Sequence, residues 1–182
     1  MTIQQMSSTI DDFRNFFSPE KSKTIFCVND VITHVLDIVS PMLKHKSIKV
    51  FFKHEGDCDA YGFPNELGQS ILNIVYNAQD ALNEKEIADK YIEILLFKNA
   101  DTIILSIYDN AGGIPEEIID QIFDPYFSTK SKKNGTGLGL YMSKIIVEDH
   151  MNGKILTSNK KNGACFKIYL PTVKISKGEN EC

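Results

Sequence analysis

The chain has 182 residues, 42% of them hydrophobic, which is enough for one well-buried domain and too few for two domains of ordinary size. Its formal net charge of −4 and its sequence pI near 5.6 argue against the broad basic surface that binds nucleic acid or an anionic membrane. The sequence therefore predicts one core and no nucleic-acid partner.

Cysteine spacing and hydropathy predict a cytoplasmic protein. The four cysteines are far apart in the sequence and lack the spacing of zinc ligands: Cys27, Cys58, Cys165 and Cys182. No apolar run approaches the roughly 20 residues of a membrane helix, and the N-terminus lacks the pattern of a signal peptide. We expect reduced thiols and no direct membrane contact by this part of the chain. The sequence leaves open whether a longer natural chain carries a membrane segment farther upstream.

The first 17 residues carry an amphipathic helical pattern. Apolar residues at helical spacing are Ile3, Met6, Ile10, Phe13 and Phe17. The helix is expected to end at Ser18, because the residue before a proline is pushed out of the α region. Its apolar face either packs on its own domain or joins a bundle or coiled coil between subunits.

The middle of the chain alternates between predicted strands and helices. Strands are expected at 24–28 and 48–56, with a helix from about 31 to 46 capped by Asn29-Asp30 between them. The most regular pattern, residues 64–84, begins with a proline and carries one broad apolar face. The residues of that face are Leu67, Ile71, Ile74, Val75, Ala78 and Leu82.

The second half predicts two hairpins around one further helix. Strands at 91–99 and 101–109 are joined closely enough to be antiparallel, and a helix is expected from about 138 to 151. The last strands, 153–159 and 163–170, flank a tight turn at Asn162-Gly163. Helices that must all cover one face of such a sheet imply an α+β fold, a two-layer α/β sandwich. Residues 174–182 are predicted to be a disordered tail.

Two asparagines, Asn73 and Asn77, lie four residues apart on the most regular helix and project from the same side. Buried amides cost free energy unless they find partners. They either bond to nearby backbone carbonyls or offer a side-chain oxygen to a hard cation such as Mg²⁺.

Asp109 ends a strand and is followed closely by Gly112 and Gly113 in "DNAGGIP". Two glycines favour a simple turn, because they tolerate positive φ. The alternative is that Asp109 accepts a hydrogen bond from a ligand amino group while the ligand lies against the bare backbone.

Glycines at alternate positions precede the last helix in "GTGLGL", residues 135–140, and resemble a phosphate cradle. The pattern is neither a Walker A loop nor GxGxxG, and it also suits a helix entry. The preceding lysines, Lys130, Lys132 and Lys133, either meet phosphates or form a solvated tip. Three aromatic residues in "QIFDPYFSTK" either anchor a mobile lid or pack in the core: Phe123, Tyr126 and Phe127.

The order of these motifs resembles the ATP-binding catalytic domain of sensor histidine kinases, in the superfamily shared with gyrase, heat-shock protein 90 and the mismatch-repair ATPase. The resemblance covers roughly residues 22–172 and implies a Bergerat-type fold with a mixed, mostly antiparallel sheet. "NIVYNAQDAL" is similar to the N box, "DNAGGIP" to the G1 box, "FDPYFSTK" to the F box and "GTGLGL" to the G2 box.

The resemblance implies ATP and Mg²⁺ as cofactors. Asp109 would bind the adenine amino group, Gly113 would allow close approach of the base, and Asn77 would coordinate Mg²⁺. The implied catalytic residues are Asn73, which would polarise the reacting group, Asn77 and Lys130. The implied nucleotide-binding residues are Asn77, Asp109, Gly112, Gly113, Phe127, Gly135, Thr136, Gly137, Leu138 and Gly139. A glutamate replaces Asn73 in the ATPase relatives, and an amide cannot act as that base, so slow hydrolysis and transfer to a protein are expected.

The resemblance also implies partners. Residues 1–19 are similar to the end of the second helix of a dimerisation and phosphotransfer domain, and 20–173 form the catalytic domain. The acceptor histidine is expected upstream, because no histidine here has a suitable context: His34, His45, His54 and His150. This chain alone is therefore not expected to autophosphorylate, and His54 is predicted to be an exposed strand residue. Expected partners are the upstream domain, a response-regulator receiver domain and a second copy in a homodimer.

Three alternatives remain open from the sequence. A serine protein kinase of the anti-sigma type has the same pocket, although residues 9–17 argue against it. A non-catalytic nucleotide sensor would bind ATP to order its lid. A purely structural dimerisation module would use the N-terminal stripe and bind no nucleotide.

Overall fold

The computed structural model describes residues 22–129 and 137–173, which form seven strands and three α-helices, the last with a π-helical continuation. In chain order they are β1 (Thr24–Cys27), α1 (Val28–His45), β2 (Lys49–His54), β3 (Asp59–Gly62), α2 (Pro64–Asn83), β4 (Tyr91–Asn99), β5 (Thr102–Asp109), α3 (Gly139–Ile145, continued at Ile146–His150), β6 (Lys154–Lys160) and β7 (Gly163–Pro171).

Five strands form the main sheet, in the order β2-β4-β5-β7-β6. Only β2 and β4 are parallel within it, and the other neighbours are antiparallel. A separate antiparallel pair joins β1 to β3. The predicted α+β fold with a mixed, mostly antiparallel sheet is confirmed.

The core lies between this sheet and the helices. In β4, Ile92, Ile94 and Leu96 are buried while the residues between them are partly exposed, as expected where one face of a sheet is covered. The covering helices contribute their apolar faces: Val35, Val39 and Leu43 from α1, and Leu67, Ile71, Ile74, Val75 and Leu82 from α2. The predicted two-layer arrangement follows from this burial pattern.

The predicted cap of α1 at Asn29-Asp30 is wrong, because the helix begins at Val28. Asn29 is buried inside the first turn, where its Oδ1 accepts the N–H of Cys58 at 3.2 Å and its Nδ2 lies 2.8 Å from Nδ1 of His54. These partners are distant in sequence, so local capping rules do not anticipate them. His54 is an exposed strand residue, as predicted.

The last hairpin turns one position earlier than predicted. Its two loop residues are Lys161 and Asn162, Lys161 has a φ of 53°, and Gly163 already pairs with Lys160. Gly163 is required for space, because a Cβ at this position would lie 1.6 Å from the carbonyl oxygen of Asp109. Strand β3, four residues long, is also absent from the sequence prediction.

Several predictions lie outside the described residues: the helix of residues 1–17, the lysines at 130, 132 and 133, and the tail 174–182. None of the helices within residues 22–129 and 137–173 has the length and hydropathy that a membrane span requires. Within those same ranges, no cluster of three or more His, Cys, Asp or Glu side chains is arranged to hold a metal ion.

Candidate functional site

A cavity of about 590 Å³ lies between α2, the segment that follows β5 and the beginning of α3. Its lining comes from stretches far apart in the sequence: Tyr76, Asn77, Ala78, Asp80, Ala81, Glu84 and Lys85 of α2 and the residues after it; Asp109, Ala111, Gly113, Ile114 and Pro115; Ile118, Ile122, Phe127, Ser128 and Thr129; Gly137, Gly139 and Leu140; and Ala164 and Phe166 of β7. This volume suits a small-molecule ligand.

Asp109 is the buried acid of the cavity. It is the last residue of β5 and only 5% of it is exposed. Burial raises the pKa of its carboxyl above the ordinary value, while backbone N–H donors of Ala111 and Ala164 act in the opposite direction. Oδ1 accepts the N–H of Ala111 at 2.9 Å. A buried acceptor facing a cavity is suited to a donor on a ligand.

The two glycines after Asp109 make the turn that the sequence predicts. Gly112 and Gly113 have φ values of +91° and +82°, a region that L side chains rarely adopt. The N–H of Gly112 donates to the carbonyl oxygen of Asn162 at 2.8 Å, while Gly113 lines the cavity. The turn therefore also places bare backbone at the cavity surface.

The paired asparagines of α2 have different surroundings. Asn77 lines the cavity, whereas Asn73 lies outside its lining. Nδ2 of Asn73 donates to the carbonyl oxygen of Gly139 at 3.1 Å and lies 3.2 Å from Oγ of Ser143. Asn73 thus joins α2 to the first turn of α3.

The aromatic residues of the F box divide between three environments. Phe127 lines the cavity, and Phe123 packs edge-on against Phe166 with ring centroids 6.3 Å apart. Tyr126 is 78% exposed. Of the glycine-rich stretch, Gly137 and Gly139 line the cavity, and Leu138 lies between them and is half-buried. The remaining predicted residues, Lys130, Gly135 and Thr136, lie outside the described residues.

Sequence reasoning missed part of this lining. Asp80 and Glu84 follow Asn77 at helical intervals of three and seven residues, so helical periodicity could have placed them beside it. Ala164 and Phe166 face the cavity because β7 lies beside β5, and strand order is not a local signal.

The sequence model of the family described as "Histidine kinase-, DNA gyrase B-, and HSP90-like ATPase" matches residues 62–174, which include all of these cavity stretches. The chain belongs to this family. Domains of the family bind ATP. The predicted resemblance to the catalytic domain of sensor histidine kinases is confirmed, and the roles of individual residues stay predictions.

Known relatives agree with this assignment. Sensor histidine kinase ZraS of Salmonella typhimurium is 32% identical over 147 residues, which are 80% of this chain and 30% of ZraS. The chain thus spans about a third of the length of this relative. The crystallised catalytic domain of histidine kinase ThkA has a TM-score of 0.75 and 30% identity, covering 83% of this chain and 96% of that domain.

A second ThkA structure holds the kinase in complex with the response regulator protein TrrA. Its likeness to this chain has a TM-score of 0.70 and 24% identity, and it covers 94% of this chain and 48% of that one. At this identity the likeness concerns the fold.

Proposed function

We propose that the cavity binds Mg-ATP and that the domain, as part of a longer histidine kinase, transfers the γ-phosphoryl group to a histidine of an upstream dimerisation domain. The single observation that carries the proposal is the buried carboxylate of Asp109 in a cavity with a backbone surface at Gly113. The family match supports ATP as the ligand.

The adenine end is assigned to Asp109. Its carboxylate accepts hydrogen bonds from backbone N–H groups and has lone pairs for one more donor, such as the adenine amino group. Gly113 and Phe127 line the cavity and complete this end, with Gly112 in the adjoining turn. A planar base would lie there against bare backbone and an aromatic ring.

The phosphate end is assigned to Asn77 and the glycine-rich stretch before α3. Asn77 would hold Mg²⁺ through its side-chain oxygen, because Mg²⁺ binds few protein oxygens and takes its other ligands from water and phosphate. Gly137, Leu138 and Gly139 would approach the phosphates, together with Gly135, Thr136 and Lys130.

The bound nucleotide supplies the phosphoryl group, and the chain positions it and neutralises charge. Asn73 has an amide where a hydrolase needs a general base, which disfavours activation of water. Asn73 would also polarise the reacting group, as the resemblance implies, and its bonds to Gly139 and Ser143 add a positioning role.

The proposed partners are those that the resemblance to sensor histidine kinases implies. The acceptor histidine would lie on the upstream dimerisation domain, and a response-regulator aspartate would then receive the phosphoryl group. The complex of ThkA with TrrA supports a receiver domain as that partner. A homodimer formed through the upstream domain completes the proposal.

Thermal unfolding with and without ADP or ATP, each with Mg²⁺, tests nucleotide binding. At a hundred times Kd, a ligand should add about 2.7 kcal/mol to the free energy of unfolding. We expect this gain in the wild type, none in Asp109→Asn, and the full gain in Asp120→Asn, which changes an exposed acid. Retained binding by Asp109→Asn would overturn the adenine assignment.

Phosphorylation by a chain that includes the upstream domain tests transfer. We expect an acid-labile phosphohistidine with Mg-ATP and severe loss of it in Asn77→Asp. An acid-stable phosphoserine on a partner would favour the serine kinase alternative. Nucleotide binding with no phosphorylated product would favour the nucleotide sensor.

A further inference from the structure

Asn159 lies near the end of β6 and its side chain contacts the backbone of Ile114, 45 residues away in the sequence. Its Nδ2 donates to the carbonyl oxygen of Ile114 at 2.7 Å, and its Oδ1 accepts the N–H of Ile114 at 2.8 Å. One side-chain amide thus satisfies both backbone groups of one residue.

The side chain of Asn159 makes the two hydrogen bonds to Ile114 that the backbone of a neighbouring strand would otherwise make. Ile114 belongs to none of the strands, although it lines the cavity directly after the two-glycine turn. The next backbone bond along the segment is local, from the N–H of Ile118 to the carbonyl oxygen of Pro115 at 3.1 Å. Asn159 therefore connects this part of the lining to the sheet.

Gly113 makes room for the contact. A Cβ at Gly113 would lie 2.7 Å from Oδ1 of Asn159, closer than carbon and oxygen atoms normally approach. Glycine at position 113 therefore leaves room for the side chain of Asn159 and also exposes bare backbone to the cavity.

Asn159 is also connected to the acid of the cavity. It pairs with Ala164 of β7, which lines the cavity and whose backbone N–H donates to the carboxylate of Asp109. One residue of the edge strand thus supports two parts of the lining while standing outside it.

We propose that Asn159 is a positioning residue for nucleotide binding: it holds residues 113–115 at the distance from Asp109 that the base requires, without touching the nucleotide. This inference rests on the proposed function. It predicts that the affinity for nucleotide depends on an amide at the edge of the sheet.

Asn159→Ala tests it through two measurements on the same protein. We expect the Kd for Mg-ADP, measured by calorimetry, to rise about tenfold, since two hydrogen bonds that fix the segment are lost. Hydrogen exchange of the Ile114 amide in the nucleotide-free protein should accelerate. The matched control is Asn99→Ala, an exposed asparagine at the far end of β4, which should change neither quantity.

Asn159→Asp is the second variant if Asn159→Ala folds poorly. It keeps an oxygen for the N–H of Ile114 and places another oxygen opposite its carbonyl, so Kd should again rise. Faster exchange at Ile114 with an unchanged Kd in either variant would overturn the inference and leave nucleotide binding intact. A wild type that binds no Mg-ADP would overturn the proposed function, and the inference with it.

Discussion

The backbone N–H of Tyr126 donates to the carbonyl oxygen of Gly137 at 3.0 Å. This bond joins the aromatic F box to the glycine-rich stretch at the point where both reach the cavity. Tyr126 itself has a φ of 65°, which is rare for a residue with a side chain. The two motifs are therefore held together through their backbones, and the exposed ring of Tyr126 is not needed for the contact.

Gly137→Ala should separate the two motifs. Gly137 has a φ of +68°, and a Cβ there would lie 2.4 Å from the carbonyl carbon of Tyr126. Gly56→Ala is the matched control, because Gly56 has the same φ with no atom within 4 Å of a Cβ. Both variants should lose about 1 kcal/mol of unfolding free energy to backbone strain, and Gly137→Ala should lose more because its Cβ overlaps backbone atoms. Only Gly137→Ala should also raise the Kd for Mg-ATP, by about tenfold; equal Kd values in the two variants would contradict the prediction.

The raised pKa of Asp109 gives a pH dependence of stability. Between the ordinary carboxyl pKa of 3.8 and its raised value in the fold, the folded protein binds more protons at this group than the unfolded chain does. The contribution of Asp109 to the free energy of unfolding is therefore largest below 3.8 and is lost as pH rises through the raised pKa. The unfolding free energy of the wild type minus that of Asp109→Asn should fall across this window in chemical denaturation. If this difference in unfolding free energy is constant or rises with pH, the predicted stabilisation by protonated Asp109 is wrong.

Asn73→Ala should destabilise the protein before any nucleotide is added. The variant removes the amide that connects α2 to Gly139 and Ser143, while Ser143 Oγ still donates to Gly139 at 3.0 Å. We expect a loss of about 1–2 kcal/mol in the free energy of unfolding. Asn83→Ala, at an exposed position in the last turn of the same helix, is the control and should cost little. Equal stability of the two variants would mean that the bonds of Asn73 contribute nothing measurable.

Gly163→Ala should disturb the acid of the cavity from the opposite strand. The added methyl would overlap the carbonyl oxygen of Asp109, so β7 has to move away from β5 at a cost of about 3 kcal/mol. Nucleotide binding should weaken as well, because Ala164 next to it donates to the Asp109 carboxylate. Asn162→Ala in the adjacent loop keeps the backbone contact to Gly112 and should leave both properties near those of the wild type. Unchanged stability in Gly163→Ala would show that the hairpin adjusts freely.

Local periodicity determined much of the fold by itself. Helix α2 and strands β4 and β5 match the predictions within a residue, because a residue's side of a helix or strand follows from its spacing alone. The order of the N, G1, F and G2 boxes was sufficient to identify the family, because each box is a short, contiguous stretch of sequence.

Tertiary structure decided what depends on contacts between distant segments. The sequence around Asn29 resembles a helix cap, but its side chain bonds to Cys58. Asn73 and Asn77 share one face of α2, but of the two only Asn77 lines the cavity. The contact of Asn159 with Ile114 joins residues 45 apart. A sequence states which polar groups a chain carries, and the packing of its elements selects the partner of each, because hydrogen bonds form over about 3 Å and spacing along the chain does not give that distance.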